Sequence, residues 1–370
     1  MKVAMLDLTE QYQGLRDEML KALDDVMSKA HFILGDNVKK LESDVAKYSN
    51  VNHGIGVANG SDAIHIALQA SGVGPGDEVI VPAFTFFATA GAVARAGATP
   101  VYADIDPRTF NIDPASIEKA VTDKTKAIVL VHLYGQMADM DAIAAVAKKH
   151  NLAVIEDAAQ AIGAKYKGKT VGELGTAATY SFFPTKNLGA YGDGGMIVTN
   201  DTELAEKMRV IRVHGSKPKY HHHVLGYNSR LDELQAAVLN VKFPHLDTWI
   251  KLRREKANTY TQLLNEALKD NVVTPFIEEH NEHVFHQYTI RVQRRDELQA
   301  FLKEHGVATM IYYPKPLHLQ PVFEELGYKE GDLPETEKAC AEAISLPMYP
   351  ELKQEQQEYV VKKIAEFYNK

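Results

Sequence analysis

Along the first two thirds of the chain, short runs rich in Val, Ile and Ala end at Gly, Pro or Asp and give way to stretches whose apolar residues recur at helical spacing. The short runs predict strands at 54–58, 78–81, 100–103, 127–131, 153–156, 179–182 and 196–199. The stretches between them predict helices at 62–70, 88–96 and 141–150, built from good helix formers, with a further amphipathic helix at 231–241. Such alternation implies an α/β fold, a mostly parallel seven-stranded sheet wrapped by helices, although the strand order is not readable from the pattern. Beyond residue 245 the rhythm changes. A long helix at about 247–267 is followed by segments at 288–292, 296–305, 309–313 and 354–368, which reads as a smaller α+β domain. The expected division is 1–245 for the large domain with its N-terminal segment and 246–370 for the small C-terminal one. With no repeat, low-complexity stretch or Gly/Ser linker between them, the two should pack against each other.

Composition narrows the class. A chain of 370 residues with 45% hydrophobic content has enough material for a large core. A net charge of −8 and a pI near 6.0 lack the basic surface a phosphate-backbone binder needs, so nucleic acid is not an expected partner. The lone cysteine, Cys340, excludes an internal disulfide framework and reads as a small buried hydrophobe. No metal site is expected: nothing around Cys340 has ligand spacing, and the adjacent His221, His222 and His223 read as a mobile loop or a substrate contact. Apolar runs such as 127–133 cannot span a bilayer, and no signal-like apolar core forms before Asp7. A cytoplasmic location away from membranes is expected.

The most informative residues are Lys186, within Ser181-Phe182-Phe183-Pro184-Thr185-Lys186-Asn187-Leu188-Gly189, and Asp157, within Glu156-Asp157-Ala158-Ala159-Gln160. An amine among Phe182, Phe183 and Pro184 loses hydration, so the neutral form that attacks carbonyls becomes easier to reach. A carboxylate at the end of a buried strand suits a protonated pyridine nitrogen. Each alone has a plain structural reading, a packed lysine stem or a helix cap. Together they describe a site for pyridoxal phosphate.

Other pieces fit around them. Asn59-Gly60-Ser61-Asp62 lies between a strand and a helix, where Gly60 permits a tight turn and free amides face a phosphate; ordinary capping by Ser61 or Asp62 fits equally well. Pro82-Ala83-Phe84-Thr85-Phe86-Phe87 follows a strand end, where an aromatic side chain either lies flat on a pyridine ring or joins the core. Ser181 and Asn228 carry groups suited to phosphate oxygens. Gly163-Ala164-Lys165-Tyr166-Lys167-Gly168-Lys169-Thr170 has the spacing of a nucleotide phosphate loop, but such a loop must open a helix. Here a glycine-broken stretch follows, and Tyr166-Lys167-Gly168-Lys169 reads as a surface hairpin turn. Gly54-Ile55-Gly56 with Gly60 imitates a dinucleotide fingerprint whose third glycine falls one place late.

These motifs, with Ile33-Leu34-Gly35, Gly76-Asp77-Glu78-Val79-Ile80-Val81-Pro82, Gly192-Asp193-Gly194-Gly195 and Gly226-Tyr227-Asn228-Ser229-Arg230-Leu231-Asp232-Glu233-Leu234-Gln235-Ala236-Ala237, occur in an order that resembles the DegT/DnrJ/EryC1/StrS family. These are pyridoxal-phosphate-dependent sugar aminotransferases of the aspartate aminotransferase fold, fold type I, and the resemblance covers nearly the whole chain. It implies that Lys186 is the Schiff-base lysine, Asp157 the ring-nitrogen partner, Gln160 a contact to the ring hydroxyl and Phe86 the stacking aromatic. Ser61, Asp62 and Ser181 would form the phosphate-binding set, with Asn228 reaching in from the neighbouring subunit of a homodimer with shared sites. The implied reaction takes an amino group from L-glutamate, through the pyridoxamine 5'-phosphate form, to a nucleotide-linked keto sugar. Asn187-Leu188-Gly189-Ala190 and Tyr312-Tyr313-Pro314-Lys315-Pro316-Leu317-His318-Leu319-Gln320 resemble the branch acting on 3-keto rather than 4-keto sugars, although Tyr312 departs from the histidine frequent there. Arg230, Tyr313 and His318 are candidate substrate contacts, with a subunit-bridging arginine and a core tyrosine as the structural alternatives. Two other functions remain open on this fold: a sugar dehydratase, in which histidine replaces the lysine retained here, and a regulatory binding protein.

Overall fold

The computed structural model describes residues 1–268 and 271–369. Seven strands form the main sheet: β1 His53–Val57, β2 Glu78–Pro82, β3 Thr99–Ala103, β4 Thr125–Val131, β5 Ala153–Asp157, β6 Ala177–Ser181 and β7 Gly195–Thr199, in the order β1-β7-β6-β5-β4-β2-β3. All neighbours run parallel except β7, which is antiparallel to both β1 and β6. Runs such as Val79-Ile80-Val81 and the fully buried 127–131 are apolar on both faces because helices cover both faces. Ile128, Leu130, Val154, Tyr180 and Met196 belong to one core, and Val129, Ile155, Ala177 and Ile197 to the core on the opposite face. The mostly parallel α/β architecture is the expected one.

Parallel direction has a functional consequence: the carboxyl ends of the six parallel strands share one edge. There Gly195, the first residue of β7, sits opposite both Val57 and Ser181, while Asp157 ends β5 between Val131 and Thr179.

A second body follows the helix Leu246–Leu268. Its three-stranded antiparallel sheet places Tyr288–Val292 between Val272–Val273 and Ala343–Leu346. Tyr260, Tyr288, Ile290, Leu298, Leu302, Ile344 and Ile364 fill its core, and Val3 from the amino terminus joins them, paired with Val307. The segment 309–313 makes no strand; only Met310 pairs, with Ser345 in the neighbouring strand, before Tyr312 and Tyr313 turn away. The phosphate-loop mimic is a hairpin, Lys165–Tyr166 against Lys169–Thr170, with Lys167 and Gly168 at φ 50° and 78°, the positive values a tight hairpin turn requires. Among the described residues, no helix is long and apolar enough to cross a membrane, and no group of three or more His, Cys, Asp or Glu is placed to hold a metal ion.

Candidate active site

Asp157 is 5% exposed. Its Oδ2 accepts from Thr89 Oγ1 at 2.8 Å and its Oδ1 from the Ala159 amide at 3.2 Å, while its backbone carbonyl accepts from the His132 amide at 3.0 Å. Burial raises its pKa; the two neutral donors and the charges of Lys186 and His132 pull the other way. A buried carboxylate held only by neutral donors gains most from a cationic N–H brought against it, which is what a protonated pyridine offers.

Lys186 lies in the loop joining β6 to β7. That loop is closed by backbone bonds from Lys186 N to Phe183 O at 2.9 Å, Ala190 N to Phe182 O at 2.8 Å and Phe182 N to Gly194 O at 2.8 Å. Burial lowers the Lys186 pKa to about 8, opposed by the negative charge of Asp157. The amine is thus a usable nucleophile and proton carrier near neutrality. Beside it, burial and then the Lys186 charge hold His286 neutral, well below the ordinary histidine value. His286 Nδ1 meets Asn187 Oδ1 at 3.3 Å, and Asn187 Nδ2 donates to Val284 O at 3.2 Å, anchoring the residue next to the lysine.

At the other end, the helix Gly60–Ala70 starts against β6 and β7. Asn59 caps it by accepting from the Asp62 amide at 2.8 Å, which leaves the amides of Gly60 and Ser61 without partners inside the helix. A Cβ on Gly60 would lie 2.7 Å from Ser181 Cβ, and one on Gly195 would lie 2.5 Å from the Asn59 carbonyl carbon. Only glycine lets the helix start approach the Ser181 hydroxyl this closely. Two free amides with the Ser61 and Ser181 hydroxyls suit a phosphate. The Asp62 carboxylate turns instead to Arg95, 3.3 Å away, so this acid is paired at the rim of an anion site.

Between these ends stands a polar and aromatic wall. Gln160 Oε1 accepts from the Tyr134 amide at 2.6 Å, and Gln160 Nε2 donates to the Tyr313 hydroxyl at 3.2 Å. Tyr134 OH donates to the Tyr312 carbonyl. The Tyr313 ring meets Phe84 edge-on at 6.1 Å and Phe86 at 6.2 Å, and the Asp157 charge is near enough to help raise the Tyr313 pKa. Phe86 is 58% exposed and so has ring surface free for a planar ligand.

The fold therefore gathers Gly60, Ser61, Ser181, Lys186, Asp157, Gln160, Phe86 and Tyr313 along one sheet edge. It does not gather all the candidates. Asn228 is exposed in a loop, paired only with Val213, and Arg230 keeps a buried Nε without a hydrogen-bond partner. His318 is 1% exposed, bonded through Nε2 to Glu337 at 3.2 Å and packed against Tyr102 and Tyr328, in a buried cluster away from the Lys186 group. The apolar flank of Leu317 and the Glu337 carboxylate draw that ring inward. Thr89, His132 and His286 lie at the site without a readable signal in the sequence, while Asn187, read only as part of a motif, anchors the lysine loop.

This arrangement, a lysine with a lowered pKa near a buried carboxylate at the carboxyl edge of a mostly parallel sheet, is that of a pyridoxal-phosphate enzyme of fold type I. The family model described as "DegT/DnrJ/EryC1/StrS aminotransferase family" matches residues 13–365, and the chain belongs to that family. Among its relatives is the "Pleiotropic regulatory protein" of Geobacillus stearothermophilus, 75% identical over 100% of this chain and 99% of the relative. Another is the UDP-N-acetyl-3-dehydro-alpha-D-glucosamine 3-aminotransferase of Acidithiobacillus ferrooxidans, 49% identical over 96% and 95% of the two chains. The crystal structure of S. venezuelae DesV in complex with a ketimine intermediate superposes with a TM-score of 0.96 at 41% identity, covering 100% of this chain and 99% of that one. Pyridoxal 5'-phosphate is the cofactor of this family.

Proposed function

We propose that this enzyme takes an amino group from L-glutamate and delivers it to the keto carbon of a nucleotide-linked sugar, with a 3-keto sugar preferred over a 4-keto one. The observation that carries the amino-transfer chemistry is the placing of Lys186, its pKa lowered to about 8, near the buried carboxylate of Asp157 at the strand ends. When bound, the cofactor supplies an electron sink through its protonated ring nitrogen. Asp157 would keep the positive charge on that nitrogen. Lys186, with its pKa lowered to about 8, would accept and return the donor's α-proton near neutral pH. Gln160 and Phe86 would contact the ring, and Ser61, Ser181 and the Gly60 and Ser61 amides would hold its phosphate. The naming of the 49%-identical relative for a 3-dehydro sugar supports the 3-keto preference. We further propose a cytoplasmic homodimer in which Asn228 completes the partner's phosphate site, with Arg230 and Tyr313 placed toward substrate.

A regulatory reading is favoured by the naming of the 75%-identical relative. The two are separated by a half-reaction. Purified protein loaded with pyridoxal phosphate should show a visible band that bleaches on adding L-glutamate; an unchanged spectrum would point to a binding protein. The aminated form, screened against 3-keto and 4-keto nucleotide sugars, should regain the band faster with the former. Retained Lys186 disfavours dehydration, and release of water from the sugar without amine transfer would reverse that judgement.

A further inference from the structure

The helix Glu233–Lys242 carries Gln235 and Lys242 seven residues apart, a spacing that puts both on one face. Both grip the segment that follows Lys186. Lys242 Nζ donates to the Gly189 carbonyl at 2.6 Å and lies over the Tyr191 ring, 4.6 Å from its centroid. Gln235 Oε1 accepts from Tyr191 N at 2.8 Å and Gln235 Nε2 donates to Tyr191 O at 3.3 Å, a two-bond clasp on one residue. The segment has little room to adjust: a Cβ on Gly189 would lie 2.3 Å from Pro184 O, and one on Gly192 would lie 2.9 Å from Gln235 Nε2.

Lys242 is an expensive way to hold a loop. It is 1% exposed, and its charge is answered only by one carbonyl, an aromatic face and the more distant Glu351. Lysines are seldom buried this fully without a carboxylate partner, and a neutral side chain would fill the space at lower cost. The helix bearing it is itself fixed, packed by Val238 against Leu15 and Met19 of the helix Thr9–Lys29. On its other flank the Lys186 loop is tied down by Asn187 to Val284 and His286. Lys186 thus sits between two anchors.

We infer that Gln235 and Lys242 are positioning residues that set where the Lys186 amine stands, by clamping Gly189 and Tyr191 to the helix Glu233–Lys242. The inference rests on the reading of Lys186 as the cofactor-holding amine. Displacing a reacting group by about 1 Å costs up to about a hundredfold in rate. The clamp therefore predicts a loss in turnover larger than any loss in binding.

The test uses holoprotein of Lys242→Met, which keeps the stem and removes the donor, and of Gln235→Leu. The visible band is titrated with pH, and the L-glutamate half-reaction is followed in single turnover. Each variant should retain pyridoxal phosphate, shift the midpoint of the band titration and slow the half-reaction by at least about tenfold, with apparent glutamate affinity changed by less than about threefold. A wild-type midpoint and rate in both variants, even with a lowered melting temperature, would overturn the inference and leave Lys242 a stabilising residue only. Should Lys242→Met fail to fold, Gln235→Leu decides by the same two readouts. If wild-type protein forms the band but ignores glutamate, the donor is wrong and the titration midpoint still decides. If it forms no band, the role of Lys186 fails and the clamp falls with it.

Discussion

A lysine in water ionises near 10.4, so at pH 8 well under about one molecule in a hundred is neutral, whereas Lys186 at about 8 is roughly half neutral there. The neutral amine attacks the aldehyde. Uptake of pyridoxal phosphate by apoprotein should therefore accelerate as pH rises from 6 and level off above a midpoint near 8, and a midpoint of 10 or more in stopped-flow absorbance would mean that the amine sees bulk water. Lys186→Ala should leave no borohydride-reducible attachment. Asp157→Asn removes the charge opposite the ring nitrogen and should slow the glutamate half-reaction by about a hundredfold. Thr89→Val leaves Oδ2 without its donor and should cost a smaller factor of about ten, because Ala159 still holds the other oxygen. That Lys186, Asp157 and Gln160 belong together was legible because each stands in a run with distinctive chemistry, and the fold brings the two runs to one sheet edge. Thr89 was not: one hydroxyl, 68 residues from its partner, has no local signature until β5 and the helix Ala88–Arg95 meet. The enclosure of His318 was not legible for the converse reason, since a polar residue in a Pro-rich loop reads as accessible until Glu337 and two tyrosines surround it.

At the level of elements, the central strands were readable because burial on both faces demands unbroken Val, Ile and Ala, a pattern little else produces. Strand Ala343–Leu346 was not, being four residues long and directly continuous with a helix. The long helix Thr9–Lys29 also escaped, because only Leu15, Met19 and Val26 of its residues are buried and the polar remainder hides the stripe. The helix Gly60–Ala70 begins two residues before the sequence-based estimate, and those two residues bring its free amides to Ser181. Gly60→Ala must push the helix start away from Ser181, given the 2.7 Å approach its Cβ would make. Equilibrium titration should show pyridoxal phosphate affinity falling by at least about tenfold while the melting temperature of the apoprotein moves little. Asn59→Ala should do the reverse in emphasis, costing about 1 kcal/mol of stability through the lost cap and less in affinity. Equal effects from the two would mean that the phosphate end does not depend on the close approach.

Across the whole molecule, the Lys186 loop is tied to the C-terminal part of the chain through Asn187, which meets Val284 and His286. Arg253, buried in the helix Leu246–Leu268, donates to the carbonyls of Phe285, His286 and Met348 at 3.1, 3.2 and 3.2 Å, so the segment beside Lys186 is itself held by that helix. What a single chain leaves incomplete is on the other side: Phe86 and Asn228 are exposed, and Arg230 Nε is buried without a partner. In the proposed homodimer Asn228 completes the neighbouring site, which yields a test that no single-chain arrangement passes. Lys186→Ala and Asn228→Ala proteins, each separately impaired, are unfolded together and refolded as a mixture. Half the dimers formed would be mixed, and in each mixed dimer one site would carry both lesions and the other neither, so activity should recover to about a quarter of the wild-type value. Recovery no greater than the average of the two parent variants would show that Asn228 serves its own chain's site or none.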